Sequence, residues 1–271
     1  MKNDKIVLAT RTSYDEYDDC IERIKRLKSS STGNVIHKVY IISNLRKEDV
    51  KTDENIEIVF DQNPPRSTAF NLIIDRLRKE QGEEYHLLVF SKEVEFDYSH
   101  ITRMTEELNK DIDHLIVVGY SLRDNILSDE EYKLYSNDIN GNKGIAYQAP
   151  WNTCALWNKK FIYSKGKESL RFDEICEKEK NQLGELMVKI DGKPETTNYK
   201  GVEAGLAIAG FVTRNNKLKF KLIEDKLAWN IKGDEKKIKE HKKKMARKNI
   251  VLATFINIKG YSIDALLKAK M

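Results

Sequence analysis

The stretch EYHLLVFSKEVEF, residues 84–96, decides the fold that we predict for this chain. Its apolar run, LLVF, stops abruptly at Ser91-Lys92-Glu93. A short apolar run with polar residues on both sides is typical of a buried strand in a parallel sheet. In open α/β folds, ligands bind just beyond the carboxyl ends of such strands. The stretch therefore predicts a parallel sheet with a ligand-facing loop at Ser91-Lys92-Glu93.

Strand and helix patterns alternate on both sides of this stretch. The strand patterns are short apolar runs, and the helical patterns repeat apolar residues every three or four positions. Predicted strands cover residues 5–10, 35–44, 56–61, 86–91 and 114–122, and predicted helices cover residues 13–30, 66–82 and 98–110. This alternation predicts an α/β fold with a mostly parallel central sheet and helices on both faces.

The second half of the chain has fewer regular patterns. Residues 202–216 predict a helix rich in small residues, and the alternation in residues 217–225 predicts a half-exposed strand. No internal repeat and no clean linker interrupts the chain. We expect one domain over residues 1–230, with residues 231–271 as a basic helical extension packed on the same domain.

Composition excludes several classes of protein. The 271 residues are 40% hydrophobic and 34% charged, which is typical of a soluble globular protein. No apolar stretch approaches the roughly 20 residues of a membrane span, and the N-terminus lacks a signal-peptide pattern. Three scattered cysteines argue against a disulfide framework, and five histidines without ligand spacing argue against a local zinc motif. These features predict a cytoplasmic protein without a transmembrane segment.

The net charge of +5 is unevenly distributed, since residues 232–248 are densely basic. A run of this kind is usually the solvated face of a helix. The alternative is an electrostatic patch for an anionic partner, such as a membrane surface, a nucleic acid or an anionic acceptor. Under that alternative, the protein is peripheral at a membrane surface.

The first predicted strand carries no glycine-rich phosphate loop. It is followed by Arg11-Thr12-Ser13, which matches neither Gly-x-Gly-x-x-Gly nor Gly-Lys-Ser/Thr. A bound nucleotide would therefore be held by other means.

Three segments of the chain, in order, resemble the nucleotide-diphosphate-sugar glycosyltransferases of the GT-A fold, family 2 type. The first, NPPRSTAFN at residues 63–71, is similar to the family's Asn-Gly-Gly-x-x-x-Ala-Arg-Asn segment. Prolines replace the two glycines, and Phe70 replaces the arginine. The second, residues 87–96, stands where the family has a strand that ends in Asp-x-Asp.

The third segment is FDE at residues 172–174 together with residues 201–230. It resembles the family's Gly-x-Glu-Asp-x-x-Leu-x-x-Arg helix, the strand that follows and a closing histidine. Trp229-Asn230 stand near the place of that histidine.

The resemblance implies a divalent cation, Mg²⁺ or Mn²⁺, that the Asp-x-Asp carboxylates hold on the donor diphosphate. Ser91-Lys92-Glu93 keeps one carboxylate, so Glu93 is the single candidate ligand for a metal. Lys92 would repel a metal at short range, but a lysine is able to face a phosphate as a point charge. We therefore expect weak or no metal dependence. The alternative is that Lys92 points to solvent and Glu93 caps the helix near residue 98.

The resemblance also implies a carboxylate base that deprotonates the acceptor. Glu203 matches the family's glutamate, but Ala204 replaces the aspartate that usually serves as base. Glu203, Asp173 or Glu174 takes this role, or the chain is not a catalyst. As an acid at a helix N-terminus, Glu203 also has a structural explanation.

The remaining residues implied by the resemblance bind the donor and the acceptor. Candidate contacts to the nucleotide sugar are Thr10, Arg11, Asn44, Arg66, Asn71 and Ser91, with Lys92 and Glu93. The alternatives are that Arg11 is an exposed surface arginine and that Asn71 is a polar residue of the core. Trp151 and Trp157 are expected to line an acceptor pocket, since sugars stack on aromatic faces; packing in the core is the other explanation for at least one of them.

The expected function is transfer of a sugar from a nucleotide-diphosphate sugar to a glycan, lipid or protein acceptor. The main alternative is a catalytically inactive GT-A-like protein that binds a nucleotide sugar or acts as a scaffold. A third, a nucleotidyltransferase-like enzyme on a similar sheet, would also need paired acids for metals.

Overall fold

The structure is a computed structural model that describes most of the chain. The described residues are 4–12, 16–30, 35–44, 55–61, 69–80, 82–91, 94–120, 149–150, 154–172, 176–191, 202–225, 227–229, 248 and 250–271.

The described elements follow the alternation that the sequence predicts. The strands are β1 (Ile6–Arg11), β2 (Ile36–Ser43), β3 (Ile56–Phe60), β4 (His86–Phe90), β5 (Val94–Glu95), β6 (Leu115–Tyr120), β7 (Cys154–Trp157), β8 (Lys219–Ile223) and β9 (Ala228–Trp229). The helices are α1 (Tyr17–Ser29), α2 (Phe70–Lys79), α3 (Tyr98–Asn109), α4 (Lys159–Tyr163), α5 (Glu177–Asp191), α6 (Glu203–Arg214), α7 (250–258) and α8 (Ile263–Lys268).

Seven of the described strands form one sheet in the order β3-β2-β1-β4-β7-β6-β8. β7 is antiparallel to both of its neighbours, and the other neighbouring pairs are parallel. β5 and β9 form a separate antiparallel pair. The predicted fold class, a mostly parallel central sheet in an α/β protein, is confirmed.

Helices pack on both faces of this sheet, as predicted. Successive side chains of a strand point to opposite faces. In β1, Ile6 and Leu8 join the core that contains α1 and α3, whereas Val7 and Ala9 join the core that contains α2 and α6. Because both faces are buried, the strands are nearly continuous apolar runs.

The described C-terminal residues share this core. Leu252 of α7 packs so closely on Gly205 of α6 that a Cβ at Gly205 would lie 2.9 Å from Leu252 Cδ2. Beyond α8, the N–H of Phe220 in β8 donates to Ala269 O (3.1 Å), and the N–H of Met271 donates to Phe220 O (3.0 Å). The end of the chain thus extends the sheet at β8. The division into residues 1–230 and 231–271 stays a prediction.

None of the described helices is long and apolar enough to cross a membrane.

Candidate functional site

The strand order reverses between β1 and β4. The chain passes from β1 to β2 and β3 on one side, and then places β4 on the other side of β1. Ligands of open α/β sheets bind outside the carboxyl ends of the strands at such a switch point. The carboxyl ends of β1 and β4 therefore mark the candidate site.

Thr10 ties these two strand ends together. Its side chain is fully buried, and its Oγ1 donates a hydrogen bond of 3.0 Å to the carbonyl oxygen of Phe90, the last residue of β4. The hydroxyl has one proton, and this bond uses it. Thr10 therefore holds the edge of the site in place, and its buried hydroxyl acts within the protein.

Arg11 and Ser91 leave neighbouring strands at this edge. Arg11 is half-buried, and its Cζ lies 5.2 Å from the centre of the Phe70 ring at the start of α2. Ser91 is also half-buried, and its carbonyl accepts a hydrogen bond of 3.2 Å from the N–H of Val94. This bond ties the start of β5 to the residue that follows β4. The structure thus brings two of the predicted donor contacts together at the switch point.

The strand β9 returns to the same edge. Val94 pairs with Trp229, and Glu95 pairs with Ala228. The backbone of Trp229 therefore lies beside Val94, three residues after Ser91. The two segments for which the sequence resembles the family's acidic motif and closing histidine are adjacent in space.

Asn44 and Asn71 occupy different environments. Asn44 follows β2 and is exposed at the carboxyl edge. Asn71 is 5% exposed, and both ends of its amide bind the backbone of Phe172. Its Nδ2 donates to Phe172 O (3.0 Å), and its Oδ1 accepts from Phe172 N–H (2.9 Å). Asn71 therefore fastens α2 to the segment that precedes Asp173 and Glu174.

Glu203 is buried at the start of α6, with 4% of its surface exposed. α6 leads through residues 215–218 into β8, which is parallel to β6. A helix that leads into a parallel strand runs against the strand direction, so the start of α6 lies toward the carboxyl edge. The positive end of the helix dipole also favours a carboxylate at this position.

Trp157 lies in the core. It is fully buried in β7, and its ring meets the ring of Phe172 edge to face, with the centroids 5.1 Å apart. No face of the indole is open to a sugar, so packing explains this tryptophan.

Arg23 of α1 is a site neighbour that the sequence did not indicate. Its Cζ lies 5.8 Å from the centre of the Phe90 ring and 5.2 Å from that of Phe96. Phe90 is the last residue of β4, and Phe96 directly follows β5. Burial lowers the pKa of the Arg23 guanidinium. The contact joins distant parts of the chain, so no local pattern predicts it.

Several predicted site residues lie outside the described part of the chain. They are Arg66, Lys92, Glu93 and Trp151, together with Asp173, Glu174 and all of segment 232–248 except Lys248.

The described residues do show which side chain caps α3. Asp97 Oδ1 accepts hydrogen bonds from Ser99 N–H (2.9 Å) and His100 N–H (3.3 Å), so Asp97 fills the place considered for Glu93.

The donor atoms described at this edge do not fit a tightly held Mg²⁺ or Mn²⁺. Such ions prefer several oxygen ligands that include carboxylates. Ser91 supplies a hydroxyl, and no group of three His, Cys, Asp or Glu side chains suited to a metal occurs among the described residues. We therefore assign no step to a metal.

A concavity of about 400 Å³ lies at the edge of the sheet opposite the switch point. It is lined by Glu84, Ile112, Asp113, Asn158, Lys159, Lys160, Tyr163 and Ser164. Both lysines are in ion pairs, Lys159 with Asp4 (2.9 Å) and Lys160 with Asp113 (2.9 Å). The groove faces the amino ends of β4 and β6, away from the switch point, so we do not place the candidate site there.

Comparisons with known proteins gave structural matches only. No protein-family model and no curated protein matches the chain. The chain is similar to the crystal structure of S. aureus TarS 1–349, with 11% identity and a TM-score of 0.42, over 93% of this chain and 71% of that one. It is also similar to the galactosyltransferase LgtC in complex with donor and acceptor sugar analogs, with 14% identity and a TM-score of 0.31, over 59% and 60% of the two chains. At these scores, neither match assigns an activity to this chain.

Proposed function

We propose that the chain is a glycosyltransferase whose nucleotide-diphosphate-sugar donor binds at the carboxyl ends of β1 and β4. One observation carries the proposal: three segments converge at the switch point of the sheet. Arg11 ends β1, Ser91 directly follows the neighbouring strand β4, and Trp229 pairs with Val94. Two of these segments belong to the stretches in which the sequence resembles glycosyltransferases.

The donor is held by side chains from successive strand ends. Arg11, with Arg66 and Lys92, supplies positive charge for the diphosphate. Ser91 offers a hydroxyl, and the exposed Asn44 offers an amide that is able to hydrogen-bond a base edge. Thr10 and Asn71 act in support, because the contacts that define them are to Phe90 and Phe172 within the protein.

In the proposed reaction, the acceptor oxygen attacks the anomeric carbon of the sugar. The bond between that carbon and the donor phosphate oxygen breaks, and the nucleoside diphosphate leaves with the electron pair. Arg11 and Lys92 stabilise the charge that develops on the leaving group. The dependence on metal is therefore weak or absent, with Glu93 as the one carboxylate in the sequence Ser91-Lys92-Glu93. Glu203, or one of Asp173 and Glu174, takes the proton of the acceptor.

The acceptor is a glycan, a lipid or a protein, and Trp151 is the aromatic residue that remains for its pocket. Segment 232–248 supplies a basic surface for an anionic partner. With such a basic surface, the protein would lie in the cytoplasm, peripheral at a membrane surface.

A second candidate function is a nucleotide-sugar-binding protein without transfer activity. The burial of Glu203 favours this candidate. A base must contact the acceptor hydroxyl to take its proton, and only 4% of the Glu203 surface is exposed for such a contact. The neighbouring Ala204 has no group that accepts a proton.

The test begins with the melting temperature of the whole chain in the presence of UDP-, GDP- and dTDP-sugars, with and without Mn²⁺. We expect one nucleotide sugar to raise the melting temperature without Mn²⁺, because a ligand that binds only the native state stabilises it. If none does, donor binding is refuted.

Turnover of the sugar that binds then separates the two candidates. For a transferase, Glu203→Gln should retain binding and lose turnover, whereas Glu185→Gln, at an exposed glutamate of α5, should retain both. Unchanged turnover in Glu203→Gln removes this residue from the mechanism. Binding without turnover in the unmodified protein supports the binding protein.

A further inference from the structure

Arg23 of α1 contacts the residues on both sides of segment 91–95, which runs from the end of β4 through β5. Its Cζ lies 5.8 Å from the centre of the ring of Phe90, which precedes the segment, and 5.2 Å from that of Phe96, which follows it. Both distances are within the roughly 6 Å at which a ring face attracts a cation. A single half-buried side chain of a helix thus joins the two ends of the segment.

Other contacts draw the same two ends together. The buried rings of Phe90 and Phe96 meet edge to face, with their centroids 5.2 Å apart. Within the segment, the N–H of Val94 donates to the carbonyl oxygen of Ser91 over 3.2 Å, and Val94 pairs with Trp229 of β9. The described part of the segment is therefore fixed by aromatic contacts at its ends and by backbone contacts between them.

A charged side chain at position 23 needs an explanation beyond packing. Its neighbours on α1, Cys20 and Ile24, are buried. A partly buried cation costs free energy of desolvation that an apolar side chain would not cost. Burial lowers the pKa of the Arg23 guanidinium, and the carboxylate of Glu95, within segment 91–95, counteracts part of this shift. The two ring faces and this carboxylate offset the cost, and all three belong to the segment or to its ends.

We propose that Arg23 is a positioning residue for the donor: by binding Phe90 and Phe96, it holds segment 91–95 at the switch point of the sheet. This role deepens the proposed function and rests on it, since the segment begins with Ser91 and contains other candidate donor contacts. A segment that is already held in place loses less conformational freedom when a ligand binds. Arg23 should therefore strengthen donor binding without contacting the donor.

The test is titration calorimetry of the whole chain with UDP, GDP and dTDP. For the diphosphate that the unmodified protein binds, Arg23→Met should raise Kd about fivefold, because the cation that holds the two rings is lost. Arg23→Lys keeps a cation at the rings and should raise Kd less than about twofold. A role in packing alone predicts the opposite order, because methionine suits a half-buried apolar position better than lysine does.

Two control variants separate this role from general effects of charge and stability. Arg26→Met removes the same charge from an exposed position of α1, and its Kd should not change. Asn158→Ala removes hydrogen bonds to the carbonyls of Ile112 and Leu115 at the opposite edge of the sheet, so it should lower the melting temperature but leave Kd unchanged. Circular dichroism checks that each variant is folded; if Arg23→Met is not, Arg23→Gln, which is uncharged but polar, takes its place.

The outcomes distinguish this inference from the proposed function. If the unmodified protein binds none of the three diphosphates, the proposed function is overturned, and this inference with it. If it binds one and folded Arg23→Met binds equally well, only this inference is overturned. The same holds if Arg23→Lys is weakened as much as Arg23→Met, or if Arg26→Met or Asn158→Ala is weakened to that extent.

Discussion

Thr10 and Phe90 are joined by a hydrogen bond that crosses the switch point of the sheet inside the protein. Thr10 Oγ1 donates to the carbonyl oxygen of Phe90 over 3.0 Å. The backbone pairs of β1 and β4 run from Ile6 with His86 to Ala9 with Val89. The hydrogen bond from the Thr10 side chain therefore joins the two strands one position beyond the last backbone pair. The next residues along the two strands, Arg11 and Ser91, are candidate donor contacts. The bond therefore sets the spacing of the proposed site.

Replacing Thr10 with valine should lower both the free energy of unfolding and the affinity for the donor. Valine keeps the shape of threonine but leaves the buried carbonyl of Phe90 without this donor, at a cost of about 1–3 kcal/mol. Urea denaturation measures the change. Thr10→Ser keeps the hydroxyl and should lie closer to the unmodified protein. Equal stability of Thr10→Val and the unmodified protein would contradict the role given to this bond.

Replacing Asn71 with alanine should destabilise the protein by roughly 2–4 kcal/mol, because the Phe172 N–H and carbonyl both lose a buried partner. The measurement is again urea denaturation. Arg171→Ala is the control, since Arg171 is adjacent to Phe172 in the chain but forms a partly exposed ion pair with Asp75. Such a pair contributes at most about 1 kcal/mol. A smaller loss in Asn71→Ala than in Arg171→Ala would contradict the clamp.

The parts of the fold that follow local periodicity were predictable from the sequence. The pattern of LLVF followed by Ser91-Lys92-Glu93 predicts a buried strand and the loop beyond it, and β4 confirms the strand. β7 was missed, because CALW at residues 154–157 is short and lies in a part of the chain with few regular patterns. Whether a strand is parallel or antiparallel depends on the strands beside it in the sheet, so the residues of β7 alone do not predict its direction.

The candidate site was only partly predictable for the same reason. Thr10, Arg11 and Ser91 follow strand patterns, so their place at the carboxyl edge could be inferred. The contacts of Arg11 with Phe70 and of Asn71 with Phe172 join distant segments, and no pattern within either segment indicates them. The sequence left two explanations for Trp157, an acceptor contact and core packing, and its position in β7 between Leu87 and Val117 supports core packing.

Stability at low pH should depend on Asp4. The imidazole of His86, with Nε2 3.6 Å from Asp4 Oδ1, and the Lys159 ammonium and Asn109 amide hold the pKa of Asp4 well below its usual range. A carboxyl with a lowered pKa contributes stability above its unfolded pKa, about 3.9, and this contribution is lost as the pH falls through the folded pKa. The urea midpoint of the unmodified protein should therefore fall more steeply below about pH 4 than that of Asp4→Asn.

Asp18→Asn is the control for this prediction, since Asp18 is an exposed aspartate on α1. Its midpoints should follow those of the unmodified protein at every pH. Curves for Asp4→Asn that run parallel to those of the unmodified protein down to about pH 2 would contradict the assignment.

Two glycines should respond in opposite directions to replacement by alanine. In β6, a Cβ on Gly119 would lie 2.7 Å from Pro150 Cβ and 3.0 Å from the carbonyl oxygen of Cys154. Gly119→Ala should therefore destabilise the protein by about 1–3 kcal/mol. Among the described residues, a Cβ on Gly184 of α5 has no neighbour within 4 Å, so Gly184→Ala should stabilise the protein by up to about 1 kcal/mol. Thermal unfolding measures both, and a stabilising Gly119→Ala would contradict the packing of β6 against β7.

A crystal structure of the chain soaked with the nucleoside diphosphate that it binds tests the central claim most directly. We expect the diphosphate outside the carboxyl ends of β1 and β4, within hydrogen-bond distance of the Arg11 guanidinium. A diphosphate bound instead at the opposite edge of the sheet, in the groove lined by Lys159 and Lys160, would contradict the proposed site.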